Sequence, residues 1–483
     1  MPIMHSNLQQ RAVRRARLLL LALPVWACSG SGSDAGGPPA MTTAGSSGAL
    51  GLAGGLGISG AAQAGAGGAL PATAGSVGSA GAPNTAGAGG LPSNQNQGGA
   101  SGGGVAGAAS AGSAGYGMGT AGGAGVPGTA GAPGTAGGSN ATYMIGADIT
   151  WVQAAEASGA TYSDGTKRDI LALLKSHGFN YIRLRTFVDP KAADGYDKQN
   201  GYADLAHSIA FGKRIKAAGM GFLLDFHYSD NWADPGKQCV PVAWQSLTTI
   251  DQLATAVHDY TKDAITQLIA GGARPDMVQI GNEITPGMLI HRCDSGGQPT
   301  GTNPVSGSIS NWTNLGALLK AGVKGVKDVD TGIKIMLHID RGGDKGGYTG
   351  GALSTSTSFI SNAQKQGVVF DVFGESCYQA YQGDPASASN TKSDWASTLG
   401  GLATKFPTLQ FVAAEYGPLQ REINDVVFGL NGNRGAGTFN WEPTKAGDWN
   451  TGHTLFNASG NAFTATADLA LYDAMKTAYA GRL

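Results

Sequence analysis

Charge is scarce in this chain. Lys, Arg, Asp and Glu make up only 13% of its 483 residues, and 32 basic against 33 acidic side chains leave a net charge of −1. No basic run occurs outside the extreme N-terminus, which excludes a nucleic-acid binder that works by neutralising phosphates. Cysteine is nearly as rare, with four residues. None forms a CxxC pair, and no His cluster has metal-ligand spacing, so neither a metal site nor a cofactor is expected. Long apolar runs are also missing. The longest obvious one, Leu18 to Val25, is too short to cross a bilayer.

Glycine, by contrast, is abundant. Most of the 80 glycines fall between about Ser29 and Asn140, in repeats of Thr-Ala-Gly, Gly-Ala-Pro and Ala-Gly-Gly with almost no charge and few large side chains. Such a segment cannot bury enough apolar surface to offset the entropy of ordering it. A disordered Gly/Ala/Ser-rich linker is expected there. Glycine does not keep a third-position register, which argues against a collagen triple helix. Ahead of the linker, Arg11, Arg14, Arg15 and Arg17 precede the short apolar run, which ends at Trp26-Ala27-Cys28. That order is the architecture of a secretory signal peptide. A cysteine after Ala27 also resembles the lipobox of bacterial lipoproteins, although Trp26 is unusual in it. Three segments are therefore expected: a signal peptide at 1–28, a linker at 29–140 and a folded domain at 141–483. Cys28 is the candidate lipidation site, plain secretion the alternative, and the location extracytoplasmic either way. In an oxidising compartment Cys239 and Cys293 are expected to pair, since both fall in loops on one face of the fold proposed next, leaving Cys377 as a lone thiol.

From Tyr143 onward short apolar runs alternate with longer amphipathic segments. Candidate strands are Tyr143–Gly146, Tyr181–Arg185, Phe222–Phe226, Met277–Ile280, Lys334–His338, Phe370–Phe373, Phe411–Ala414 and Gly437–Phe439. Helical patterns separate them, as at Arg168–His177, Ala203–Ala218 and Ile250–Ala270, and several end at glycine. Eight such units imply a closed parallel (β/α)8 barrel, the TIM barrel. A doubly wound open sheet is the other candidate, but Gly146-Ala147-Asp148 is not the glycine-rich phosphate turn such a sheet usually carries after its first strand.

Barrel active sites lie at the C-terminal ends of the strands. Those ends hold Asp148; Arg183 and Arg185; Asp225, His227, Tyr228, Asp230 and Trp232; Asn282-Glu283; His338 and Asp340; Glu375 and Tyr378; Glu415; and Trp441-Glu442. Singly, each has an ordinary explanation, because an Asp or Asn after a strand is often a helix N-cap and a Trp there often packs at a rim. Together they offer carboxylates, hydrogen-bond donors and aromatic faces, without a Ser-His-Asp set or a phosphate loop. Hydrolysis of a sugar acetal needs that inventory: one carboxylic acid to protonate the leaving oxygen and one carboxylate to attack or stabilise the anomeric carbon. Glu283 and Glu415, after the fourth and seventh strands, face each other across the expected mouth. Glu375 and Glu442 are their rivals.

The residues Gly146-Ala147-Asp148-Ile149, Asn180-Tyr181-Ile182-Arg183-Leu184-Arg185 and, above all, Asp225-Phe226-His227-Tyr228-Ser229-Asp230-Asn231-Trp232-Ala233-Asp234-Pro235-Gly236-Lys237-Gln238 resemble glycoside hydrolase family 53, the endo-β-1,4-galactanases. The likeness continues through Ile280-Gly281-Asn282-Glu283-Ile284, Leu337-His338-Ile339-Asp340 and Phe439-Asn440-Trp441-Glu442-Pro443. The resemblance implies a retaining enzyme that cleaves galactan or type I arabinogalactan of plant cell walls, with Glu283 as acid/base and Glu415 as nucleophile. It implies supporting or substrate-binding roles for Arg183, Asn282, His227, Tyr378 and Trp441, and Asp148, Asp230, Trp232, His338 and Asp340 join them as substrate-side candidates. A monomer is expected, with membrane attachment only through an N-terminal lipid. The chain departs from the family at Ile290, at Gln379-Ala380 and at Tyr416-Gly417-Pro418, where substrate-facing aromatics or other residues are usual, and the ligands of the calcium site of some members are not evident. A retaining β-mannanase or β-glucanase is the alternative activity, and a non-catalytic carbohydrate-binding barrel is the alternative of another class.

Overall fold

A computed structural model describes residues 142–344, 351–446 and 454–483. The expected signal peptide, Cys28 and all of the linker lie outside these residues. Eight parallel strands close into a barrel: β1 (Met144–Asp148), β2 (Tyr181–Thr186), β3 (Gly221–Phe226), β4 (Met277–Ile280), β5 (Lys334–Ile339), β6 (Val372–Ser376), β7 (Gln410–Tyr416) and β8 (Gly435–Trp441). Each strand pairs with its neighbours in chain order, and β8 closes the ring on β1 with Met144 opposite Gly437 and Asp148 opposite Trp441. Between and after the strands run α1 (Ile170–Ser176), α2 (Leu205–Ala217), α3 (Ile250–Ala270), α4 (Trp312–Lys327), α5 (Ala352–Lys365), α6 (Ala388–Lys405), α7 (Gln420–Phe428) and α8 (Leu469–Ala478).

Local chemistry starts and stops these helices. The Asp169 carboxylate accepts the Leu171 and Ala172 amides at the start of α1, and Thr249 with Gln252 forms a full capping box on α3. Each such cap contributes about 1 kcal/mol. Beyond α1 and α2 the chain turns at Gly178 (φ 99°) and Gly219 (φ 65°), a backbone region costly for residues with a Cβ.

Side-chain alternation divides the core into two layers. One set of strand residues, including Ile145, Ile182, Leu224, Val278 and Leu337, packs outward against the helices. The other set, including Met144, Leu223, Met277, Met336, Val372, Val412 and Phe439, fills the barrel interior. Packing there is close: a Cβ on Gly146 would come within 2.3 Å of the Phe439 ring. Toward the C-terminal end the same inward parity turns polar, with Asp148, Arg183, Asp225, Gln279, His338 and Ser376 on successive strands. A ring of chemistry therefore sits on an apolar plug.

Two departures from the expected strands bear on the site. First, β6 begins two residues later than the apolar run at Phe370 suggested, and it includes Glu375 and Ser376. Second, β7 is irregular. Val412 and Ala414 pack inside the barrel, and Glu415, next in line to face outward, is also on the inside, while Tyr416 packs outward. The pairing registers shift at this point, between Glu375 and Ser376 against β7 and between Ala413 and Tyr416 against β8. A bulge of this kind re-aims a side chain.

Outside the barrel, Thr161–Ser163, Lys167–Arg168, Phe456–Ser459 and Ala462–Ala465 form a four-stranded sheet, joining the segment after β1 to the segment after β8. Cys239 and Cys293 are disulfide-bonded, tying the loop after β3 to a hairpin of His291–Cys293 and Pro299–Thr302 after β4. Cys377 is a buried free thiol.

Candidate active site

Arg183 organises the mouth. It is 1% exposed, and its N–H groups are all directed. Nη1 donates to Asp148 Oδ2 at 2.9 Å and to Glu415 Oε1 at 3.0 Å. Nη2 donates to Asp225 Oδ2 and Asn282 Oδ1, each at 2.8 Å, and to Gln279 Oε1 at 3.1 Å, while Nε donates to Gln279 Oε1 at 3.2 Å. One planar fork thus fixes residues from β1, β3, β4, β7 and the turn after β4, a task that a lysine's point charge cannot reproduce. Asp225 is held below the usual carboxylate range: burial opposes this, but Arg183 and then His227 outweigh it. His227 accepts the Ala233 amide on Nδ1 at 3.0 Å, which leaves Nε2–H to donate to Asp225 Oδ2 at 3.1 Å.

Glu415 is 7% exposed. Besides Arg183, it accepts the Tyr378 hydroxyl on Oε2 at 3.0 Å. Burial pushes its carboxyl up to about 7 although Arg183 pulls it back, with Asp148 and Asp225 adding repulsion. Glu283 is placed differently. It is partly exposed, pairs with no cation among the described residues, and accepts the Ser376 hydroxyl on Oε1 at 2.5 Å. Burial of its carboxyl, then the charge of Glu415, then that of Asp340, raise its pKa well above the ordinary value. Only Glu415 has the guanidinium, so Glu415 ionises first and Glu283 retains its proton longer. Glu283 also has a left-handed backbone, φ 45°, a conformation that costs about 1–3 kcal/mol and needs surrounding support. Gln238 supplies it, donating from Nε2 to the carbonyls of Asn282 at 2.9 Å and Glu283 at 3.4 Å.

The remaining expected residues divide by position. Asn282 also donates to the Ala233 carbonyl at 2.9 Å. His338 is fully buried beside Asn282, with Nδ1 3.1 Å from its Oδ1. Trp441 and Tyr378 meet edge to face at 6.3 Å, and Trp441 meets Trp232 in the same way at 6.1 Å. The Arg185 guanidinium lies 4.3 Å over the Trp232 ring. Asp340 accepts from Thr285 and pairs with Arg341 at 2.7 Å. Asp230 is occupied elsewhere: its carboxylate accepts the amides of Asp189 at 2.9 Å and Val242 at 2.7 Å, binding the loops after β2 and β3 together.

Neither rival carboxyl shares the setting of the pair. Glu375 follows the outward parity of β6, accepts the Arg341 amide at 2.8 Å and is pushed up to about 8 by burial. Glu442 accepts Arg185 at 2.6 Å and the Trp151 amide at 3.0 Å, and so anchors the loop after β8. Gln279, Ser376 and Gln238 were not singled out from sequence. A glutamine in the otherwise apolar Met-Val-Gln-Ile of β4 was the available signal for the first. Tyr381, 6.2 Å from Tyr378 ring to ring, places an aromatic beside the positions where Gln379 and Ala380 stand.

What the barrel presents is two carboxyls of unequal acidity among aromatic faces, amides and imidazoles, and that defines a barrel glycosidase. The chain belongs to glycosyl hydrolase family 53, whose profile matches residues 144–418. It is 31% identical over 353 residues to an arabinogalactan endo-β-1,4-galactanase of Thermothelomyces thermophilus, covering 66% of this chain and 96% of that one. It is also 31% identical over 332 residues to an endo-β-1,4-galactanase of Bacillus subtilis (strain 168), covering 63% and 71%. Among solved structures, the family 53 catalytic domain of Ignisphaera aggregans superposes with a TM-score of 0.56 at 29% identity, over 68% of this chain and 95% of that one.

Proposed function

We propose that the chain is an endo-acting, retaining β-1,4-galactanase for galactan or type I arabinogalactan, with Glu415 as nucleophile and Glu283 as acid/base. The observation that carries this reading is the unequal setting of the two carboxyls: Glu415 has Arg183 and Tyr378, and Glu283 pairs with no cation among the described residues. In the first half-reaction Glu283 gives its proton to the glycosidic oxygen while Glu415 bonds to the anomeric carbon and the leaving chain departs. In the second, Glu283, now ionised, takes a proton from water, whose oxygen displaces Glu415. Such a pair stands ~5–5.5 Å apart in retaining enzymes. Trp441, Trp232 and Tyr381 offer ring faces and edges for the sugar faces, and Asn282 an amide for a hydroxyl. The galactan preference rests on the named activities of the relatives.

The test is the chain expressed with its folded domain, assayed on β-1,4-galactan, arabinogalactan, β-mannan and cellulose. Release of galacto-oligosaccharides with retained anomeric configuration is expected; oligosaccharides from mannan or cellulose alone would overturn the substrate. We further propose that the chain is exported as a monomer and anchored through a lipid on Cys28, the linker holding the barrel away from the surface. Cys28→Ala should then move the protein from the membrane to the soluble fraction.

A further inference from the structure

One hydrogen-bonded chain at the mouth has no part in the mechanism as described. The Ser376 hydroxyl lies 2.5 Å from Glu283 Oε1 and 3.0 Å from His338 Nε2. Ser376 and His338 are both fully buried and sit on neighbouring strands β6 and β5. Three groups surround His338 Nδ1: the Gln279 side-chain amide nitrogen at 3.2 Å, the Glu283 backbone N–H at 3.4 Å and Asn282 Oδ1 at 3.1 Å. Two of these are donors. The third already accepts Arg183 Nη2 at 2.8 Å. Nδ1 is therefore the accepting nitrogen and Nε2 carries the hydrogen. Burial, followed by the nearby Arg183 charge, keeps the ring neutral. With Nε2–H pointing at Ser376, the serine oxygen accepts, and its own hydrogen has one acceptor left, Glu283 Oε1.

We propose that Ser376, oriented by neutral His338, is a positioning residue for Glu283: it holds Oε1 as an acceptor in both protonation states, so that Oε2 alone carries and delivers the proton. This rests on the reading of Glu283 as acid/base. Without the restraint, the carboxyl can rotate and present either oxygen, and half of its orientations place the proton away from the glycosidic bond. Because the hydroxyl donates more strongly to an anion than to a neutral acid, it also favours the ionised form needed as base in the second half-reaction. The charged and titratable groups that face Glu283 from the other elements are Glu415 on β7, Asp340 with its partner Arg341 after β5, Asp234 after β3, and Tyr378 and Tyr381 after β6. On Oε1 itself it is the Ser376 hydroxyl that donates.

The experiment compares Glu283→Ala, Ser376→Ala and Ser376→Thr in the full chain, on galactan and on an aryl β-galactobioside whose phenolate leaves without acid help. Glu283→Ala should lose galactan cleavage while still forming the glycosyl-enzyme from the aryl substrate; if it cleaves galactan normally, the acid/base reading itself fails. Given that result, Ser376→Ala should lower kcat on galactan about 10-fold with KM little changed. Its alkaline limb of kcat/KM should rise by about one pH unit, the loss of one charge-assisted hydrogen bond. Ser376→Thr, which keeps the hydroxyl, should restore both. An alkaline limb that does not move in Ser376→Ala, or a Thr variant as impaired as the Ala variant, overturns the proposal.

Discussion

Removing the charge of Arg183 should cost Glu415, the proposed nucleophile, its ionised form before it costs the fold. The guanidinium lies 2.9 Å from Asp148, 2.8 Å from Asp225 and 3.0 Å from Glu415. Such contacts put the charge centres about 4 Å apart, and with an effective dielectric of about 20 one ion pair then amounts to about 4 kcal/mol. Converted at 1.36 kcal/mol per unit, that is roughly three pH units; sharing of one cation among three anions and entry of water reduce it to about one to two. Burial, which outweighs Arg183, already pushes the Glu415 carboxyl up to about 7. In Arg183→Ala its pKa rises further, the ionised fraction at pH 7 falls about 5- to 50-fold, and kcat/KM falls with it. The acid limb of the pH–rate profile should move up by one to two units. Arg183→Lys separates charge from geometry: the limb should stay within about half a unit of wild type, while kcat drops because three donors cannot replace the fork. Breaking a buried pair costs about 3–5 kcal/mol, so Arg183→Ala should also melt earlier, and the kinetics belong well below that transition. A folded Arg183→Ala enzyme with an unmoved acid limb would refute the electrostatic account of Glu415.

Tyr378→Phe removes the hydroxyl on Glu415 Oε2 and should lower kcat about 10- to 100-fold with little change in Tm, checked by steady-state kinetics beside calorimetry. The Asp194–Asp230 pair should make stability fall with rising pH: burial pushes Asp230 up to about 7 and raises Asp194, so the folded state holds protons that the unfolded state releases near 4. That stability is full below about pH 4 and lost as pH climbs through 7; Asp194→Asn should flatten the fall in Tm between pH 5 and 8. Loss of the Cys239–Cys293 bond, which closes a loop of sequence separation 54, should destabilise by about 4 kcal/mol on the chain-entropy account, seen as a lower urea midpoint for Cys239→Ser/Cys293→Ser.

The barrel was legible because its strands and helices are local patterns; the apolar Met277–Ile280 run was placed to the residue. Harder features depend on distant partners. The β6 boundary slipped because Phe370 extends the apolar run, whereas the polar Glu375 and Ser376 are strand residues only in the company of β5 and β7. Glu283 and Glu415 stood out as carboxyls after apolar runs, but the bulge that turns Glu415 inward leaves no mark in Ala-Ala-Glu-Tyr. The outer sheet pairs Thr161–Ser163 with Ala462–Ala465, segments too short and too far apart in the chain for any local signal. The neutral state of His338 is likewise a property of its neighbours, not of its sequence context.

The inward ring of Asp148, Arg183, Asp225, Gln279, His338, Ser376 and Glu415 draws one member from each of seven strands, and Trp441 completes it from the eighth, beside β1 where the circle joins. No contiguous stretch of the polypeptide contains a usable fraction of the chemistry. During synthesis or refolding, catalysis therefore has no partial form: seven docked strands still leave Asp148 without Trp441 at the seam. Turnover is in this sense a reporter of ring closure, and its recovery on refolding should follow the slowest joining event, however early the helices and inner strands regain their spectra.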